Sequence, residues 1–269
     1  MKRIIVVFLL AAAGTLCAQE SNNPAGDKAA IKQAALDYAE GFYEGNAVRM
    51  ERAVHPLLIK RGLFASKSSG DRYLSLMNSV MLVEITRMGR GKLDPDQRNL
   101  AFELLDMSEN TASAKIFTAR FNDYLHLVKE NGQWRLANVL WTPPASEPTT
   151  SIEKEREAIS KAIEELRLRA EAKDADGAAR YLYPAVARRT YRELVPGGKK
   201  IILELDEDVM LEMIRTGRTG PPDAPKPDLK ILDVYETMAS VKLSSARGGE
   251  YLHLAKLDGQ WKIVNGLAF

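Results

Sequence analysis

Cysteine is nearly missing from this 269-residue chain, where Cys17 stands alone. One thiol closes no intramolecular disulfide and builds no cysteine metal cluster. Histidine is almost as scarce. His55, His126 and His253 are the only three, and no two of them lie four apart, so the helical pair that holds zinc in many hydrolases is absent and no metal site is expected. A surplus of charge is missing too, with 38 basic against 36 acidic residues. Nucleic-acid binders collect a basic excess on one face, so no nucleic-acid partner is expected. No G-x-S-x-G elbow occurs, and Gly89-Arg90-Gly91 and Gly197-Gly198-Lys199 lack the strand before and helix after that a phosphate loop requires, so both read as turns. No cofactor is expected.

Long apolar runs are also lacking, with one instructive exception. Lys2 and Arg3 precede the apolar stretch Ile4–Ala13, followed by small residues and a polar exit, which is the pattern of a secretory leader. The stretch is too short to anchor in a bilayer, where about 20 residues are needed. Cleavage after Ala18 predicts a secreted or periplasmic protein with no membrane association once residues 1–18 are removed. Cys17 offers a rival, a lipid-modified N-terminus, but Gly14-Thr15-Leu16 is a poor match to the residues that usually precede such a cysteine. Loss of the leader takes the only cysteine and two basic residues, which leaves the charges balanced.

The sequence does hold a repeat. YLHLVKENGQW from Tyr124 returns as YLHLAKLDGQW from Tyr251, each copy with a histidine at its centre. Upstream, Ile31, Ala35, Tyr38 and Phe42 answer Ile159, Ile163, Leu166 and Ala170 at a spacing that puts each set on one helix face. Asn46 and Asp174 are matched N-cap candidates for a shorter helix that ends near His55-Pro56 or Tyr183-Pro184, with His55 at the helix terminus as a partly charged ring. TRMGR from Thr86 matches IRTGR from Ile214, and TASAK from Thr111 lies over MASVK from Met238. The stretch from Thr142 to Ser151, rich in Pro, Ser and Thr, reads as a linker. The expected organisation is a first domain over 27–141, a linker over 142–151 and a second domain over 152–269. Each has two helices, a third helix near Asp71–Arg87 or Glu207–Thr216, and then strands closed by hairpins. That order predicts an α+β fold with antiparallel sheets.

Asn131-Gly132 and Asp258-Gly259 are hairpin turns of either two residues or three with a glycine bulge. The three-residue form keeps Lys129 and Arg135 together on the outer face, away from Trp134. That segregation of charge favours it. Tyr124, His126, Trp134, Leu136 and Asn138 then share an inner face, as do Tyr251, His253, Trp261, Ile263 and Asn265, while Leu125, Leu127, Leu252 and Leu254 face outward.

The two helices, the step HPLLIKR from His55 to Arg61 and the ending DYLHLVKENGQWRLANVLW from Asp123 to Trp141 resemble the nuclear transport factor 2-like superfamily, closest to the set labelled putative lumazine-binding. The resemblance covers nearly the whole chain after the leader, once per unit. The second copy departs from the pattern at Tyr183, Gly249-Glu250 and Ala268-Phe269. The resemblance implies two tandem cone-like domains, each a curved antiparallel sheet wrapped around a long N-terminal helix with a pocket at its open end. Members of the superfamily include isomerases, dehydratases, cyclases, binding proteins and dimerisation modules, so the fold alone does not choose among them.

Within such pockets the polar candidates for ligand binding are Tyr38, Tyr124, His126 and Asn138 in the first unit, and Tyr251, His253 and Asn265 in the second. The competing reading is a self-satisfied buried network. The basic pairs Lys60-Arg61 and Arg188-Arg189 read as solvated loop charge, although they could grip an acidic ligand. The expected function is a non-catalytic module that binds a small hydrophobic molecule or a protein partner, with no catalytic residue assigned. The two domains are expected to pack as an intramolecular pseudo-dimer through their outer leucines. The alternative is an isomerase- or cyclase-type enzyme in the first pocket, with His126 as base and Tyr38 or Tyr124 as oxyanion donor.

Overall fold

The computed structural model describes residues 23–145, 151–196, 198–219, 225–246 and 248–269. The leader and the centre of the linker lie outside the described residues. The first unit runs α1 (Pro24–Glu44), α2 (Ala47–Ala53), β1 (Val54–Ala65), β2 (Arg72–Asn78), α3 (Ser79–Arg87), a single 3-10 turn, then β3 (Ala101–Met107), β4 (Thr111–Phe117), β5 (Asn122–Glu130) and β6 (Gln133–Thr142). The second repeats this order as α4 (Ile152–Glu171), α5 (Ala175–Ala179), β7 (Leu182–Glu193), β8 (Lys200–Leu205), α6 (Glu207–Arg215), β9 (Asp228–Tyr235), β10 (Met238–Ser245), β11 (Gly248–Leu257) and β12 (Gln260–Ala268). Each half is one six-stranded sheet, ordered β2-β1-β6-β5-β4-β3 and β8-β7-β12-β11-β10-β9. Pairing is antiparallel except between β1 and β6, and between β7 and β12.

The caps are written in the sequence. Asn46 accepts from the Arg49 N–H and Asp174 from the Gly177 N–H, so both expected N-caps hold. Gly45 closes α1 at φ 70°, a left-handed position that suits glycine. The third helix is shorter than expected in the first unit. Residues 72–78 form a strand against β1, and the helix begins only after Asn78, which accepts from the Met81 N–H. His55 also differs from expectation. It sits just inside β1, where burial keeps the ring below its ordinary pKa although Glu130 lies 3.4 Å from Nε2. It is a neutral strand residue whose Nδ1 accepts from the Leu57 N–H, not a charged helix end.

The hairpin register corrects the sequence reading. Asn131 (φ 52°) and Gly132 (φ 76°) form a two-residue turn that pairs Lys129 with Trp134, and Asp258 with Gly259 repeats it, pairing Lys256 with Trp261. The lysine can face inward because a carboxylate from the first turn of the long helix waits there. Asp27 takes Lys129 Nζ at 2.9 Å and the Trp134 indole N–H at 2.8 Å. Glu155 does the same for Lys256 (2.7 Å) and Trp261 (2.8 Å). A bulge at Ala137 then shifts β6 by one residue, so His126 pairs with Asn138 while Leu127 pairs with Leu136. Trp134 and Leu136 face inward as expected, as do Trp261 and Ile263, but the faces of β5 and of Asn138 are reversed from the expectation. Leu125 and Leu127 pack with Ile31, Ala35 and Tyr38 around α1, and Tyr124, His126 and Asn138 lie on the far side of the sheet.

Candidate functional site

That far side meets the other unit. The His126 and His253 rings stack with centroids 3.5 Å apart, and Ser113 Oγ lies 2.8 Å from Ser240 Oγ. Contacts repeat across this axis as in an isologous dimer. Tyr124 donates to Asp233 at 2.7 Å and Tyr251 to Asp106 at 2.6 Å. Asn138 Nδ2 and Asn265 Nδ2 each lie 3.3 Å from the Nδ1 of the histidine paired with them. Arg61, buried in β1, reaches Asn265 and the Ala185 carbonyl, and Arg189, buried in β7, donates to the Ala137 carbonyl at 2.6 Å. These arginines are interface cations and not solvated loop charge. Burial lowers Arg61 to about 10, and it drives both histidines far toward the neutral form, His126 to about 3.

Six of the seven expected ligand-binding residues, Tyr124, His126, Asn138, Tyr251, His253 and Asn265, are thus interface residues and line neither cone interior. The seam is also built from them, with Leu63, Leu140, Met238 and Val264, while the leucines expected to form it lie under the helices. Only Tyr38 faces a cone interior. His126 and Tyr38 stand on opposite faces of one sheet, so the expected base and donor do not meet.

The two cone interiors differ in a way the sequence spells out residue by residue. In the first, Tyr38 donates to Asp123, and Lys60 bonds both Tyr38 and, at 3.2 Å, Asp123. The Lys60 ammonium lies 4.7, 5.0 and 5.5 Å from the ring centroids of Trp141, Tyr38 and Phe121. Tyr43 stacks on Phe121 at 5.4 Å, with Phe42 at 6.1 Å from the same ring. Burial raises Asp123 and Tyr38 and lowers Lys60, each away from its charged form, while the Lys60–Asp123 attraction works against that for both partners. All three are under a tenth exposed, so this interior is filled and closed.

In the second unit the same register carries smaller groups. Leu166 stands for Tyr38, Ala170 for Phe42, Gly248 for Phe121 and Ala268 for Trp141. Two of these positions, Leu166 and Ala170, line a cavity of about 180 Å³ between α4, α6 and the sheet, together with Met210, Leu252 and Ile263 among others. It adjoins a wider cleft of about 810 Å³ edged by Lys161, Glu164 and Lys226. On the cavity wall Arg188 and Glu250 replace Lys60 and Asp123. Arg188 Nε and Nη2 donate to the two Glu250 oxygens at 2.8 and 2.9 Å, a two-point clamp whose attraction raises the arginine pKa further. Gly266 makes room for it, since a Cβ there would lie 2.4 Å from Glu250 Oε1. Among the described residues no histidine lines the cavity, and the one carboxylate that does is engaged at both oxygens, so the geometry suits binding better than proton transfer.

Sequence reasoning places Lys60 and Arg188 in solvated loops and misses Asp123 and Glu250 as their partners. A signal was available. Both basic pairs sit in strands, where adjacent residues face opposite ways, so one member of each pair enters the cone and the other the interface. An acid recurs at the matching register of β5 and β11.

Residues 26–142 match the family described as Putative lumazine-binding. Among solved structures, an NTF2-like protein of unknown function from Silicibacter pomeroyi is 14% identical, covering 45% of this chain and 99% of that one at a TM-score of 0.39. One from Shewanella baltica is also 14% identical, covering 45% and 97% at 0.35. A ketosteroid isomerase-like protein from Erwinia carotovora atroseptica is 16% identical, covering 44% and 95% at 0.32. No curated protein matches the chain.

Proposed function

We propose that this chain, whose residues 26–142 match the family described as Putative lumazine-binding and which carries two six-stranded sheets in tandem, is a non-catalytic binding protein that takes a small, mainly apolar molecule into its second unit. The observation that carries this reading is the replacement of the Tyr38 and Phe42 rings of the first cone by Leu166 and Ala170, which line a cavity in the second. An apolar cavity of about 150 Å³ accepts benzene. The space in the second unit therefore suits a group of single-ring width, with the remainder of the ligand in the adjoining cleft. The first unit serves as a filled scaffold that backs the second unit's sheet. An isomerase- or cyclase-type enzyme in the first unit is the alternative, but its phenol, amine and acid are already bonded to one another behind aromatic rings, which favours a stabilising role.

Lys2, Arg3 and the apolar run to Ala13 support export from the cytoplasm, with residues 1–18 removed. N-terminal sequencing of the exported protein should begin at Gln19. The described residues contain no helix long and apolar enough to cross a membrane. The binding reading is tested by titrating the protein with the uncharged dye N-phenyl-1-naphthylamine. The wild type should enhance the dye's fluorescence, and Ala170→Phe, which restores the ring found at Phe42, should abolish the enhancement while leaving the melting temperature intact. Equal enhancement in both proteins would place the dye elsewhere and remove the support for this site.

A further inference from the structure

The clamp on the cavity wall restricts what the ligand can be. Arg188 uses Nε and Nη2 on Glu250, and its remaining nitrogen, Nη1, has no bond to any described residue. The arginine lines the cavity with its side chain 39% exposed, whereas the Glu250 side chain is 11% exposed with both oxygens occupied. Among the described residues the wall therefore offers a ligand one free guanidinium nitrogen, at Arg188, and no free carboxylate; Arg167, also on the lining, is held by Glu164 and Glu171, and Thr219 adds a hydroxyl. The pair is also neutral as a whole. A ligand carboxylate would have to displace Glu250 from its partner or stand beside it as a like charge. A ligand ammonium would meet Arg188 in the same way. Around the pair most of the wall is apolar, with Leu166, Met210, Leu252 and Ile263, so an unbalanced charge would also lose much of its hydration.

The first unit shows how different this is. There the Lys60 ammonium is directed at Tyr38 and Asp123 under three aromatic rings, an arrangement that completes itself. In the second unit the planar arginine holds its acid by one edge and keeps a further donor free.

We propose that the second cavity selects an uncharged, mainly apolar molecule bearing a carbonyl oxygen, a ketone, lactone or amide, which accepts a hydrogen bond from Arg188 Nη1. This rests on the reading of that cavity as the binding site. Four probes of nearly one size separate the possibilities by isothermal titration calorimetry with the whole chain: 4-phenyl-2-butanone, 3-phenylpropionate, 3-phenylpropylamine and butylbenzene. The ketone should bind at least about tenfold more tightly than each of the others, the expected worth of a hydrogen bond to a charged donor. In Arg188→Met/Glu250→Met, which removes both charges together, the ketone and butylbenzene should bind alike. The wild-type ranking decides the question even if that variant folds poorly. Tighter binding of the carboxylate or the amine, or equal binding of ketone and hydrocarbon to the wild type, overturns the ligand class while the cavity stands. Binding of none of the four, or binding that Ala170→Phe leaves unchanged, removes the cavity itself and the proposal with it.

Discussion

His126 and His253 sit face to face with no charged partner, and each leaves Nε2 without a hydrogen bond among the described residues. A histidine that folding keeps neutral makes stability depend on pH in a definite direction. Above about pH 6.5 neither the folded nor the unfolded ring carries a proton. Below it the unfolded chain takes up protons that the folded chain refuses, so stability falls by up to about 1.4 kcal/mol per pH unit per histidine until the folded values are reached, near 3 for His126. Asp123 acts oppositely, because burial raises it and the folded state gains as its carboxylate protonates. Urea unfolding at pH 7 and pH 4.5 should therefore show a larger loss in the wild type than in His126→Gln/His253→Gln, where the Asp123 contribution is unchanged. A similar contrast applies to the first cone. Lys60→Met strands the Asp123 carboxylate, whose Oδ1 already lacks a partner, and should cost about 3–5 kcal/mol. Lys60→Met/Asp123→Leu should regain most of that in the same assay.

The elements owe their arrangement to a clamp between the start of each long helix and the hairpin that closes each sheet. Glu155 holds the Lys256 ammonium and the Trp261 indole at once, and Asp27 holds Lys129 and Trp134. Glu155→Ala leaves both donors unpaired, so a loss of about 3 kcal/mol is expected, together with a red-shifted tryptophan emission as β11 and β12 separate from α4. This clamp also explains what was legible in the sequence. The duplication, the helix caps and the Asn-Gly and Asp-Gly turns depend on local residues and could be read directly. The face of each strand could not, because it depends on a carboxylate about a hundred positions away that makes an inward lysine tolerable, and on a bulge that no residue of β6 announces. An outward Lys129 is electrostatically cheaper only without Asp27, which neutralises it on the inner face. The same error carries Tyr124 and His126 from the interface into a pocket, while reading β7 as loop hides Arg188 and so the partner of Glu250 on β11.

At the scale of the molecule, two copies of one fold have diverged in their interiors. They share the interface, with its paired tyrosine–aspartate bonds, stacked histidines and facing serines, and they differ in the cone. The buried seam should make the halves unfold together. Calorimetry of the wild type should show one transition whose van't Hoff and calorimetric enthalpies agree. Ser113→Arg, which forces a long cation into the Ser113–Ser240 contact, should split it into two. The first unit's Asn138 also lies 3.4 Å from the carbonyl of Gly266, the residue that makes room for the Arg188–Glu250 clamp. The filled copy therefore braces the strand on which the hollow copy's clamp rests. The most direct test of this division is a crystal structure of the chain soaked with 4-phenyl-2-butanone. The account predicts ligand density inside the second cone between Leu166 and Met210, with its oxygen at Arg188, and none inside the first. Density beside Tyr38 in the first cone, or a second cone closed by its own side chains, would contradict it.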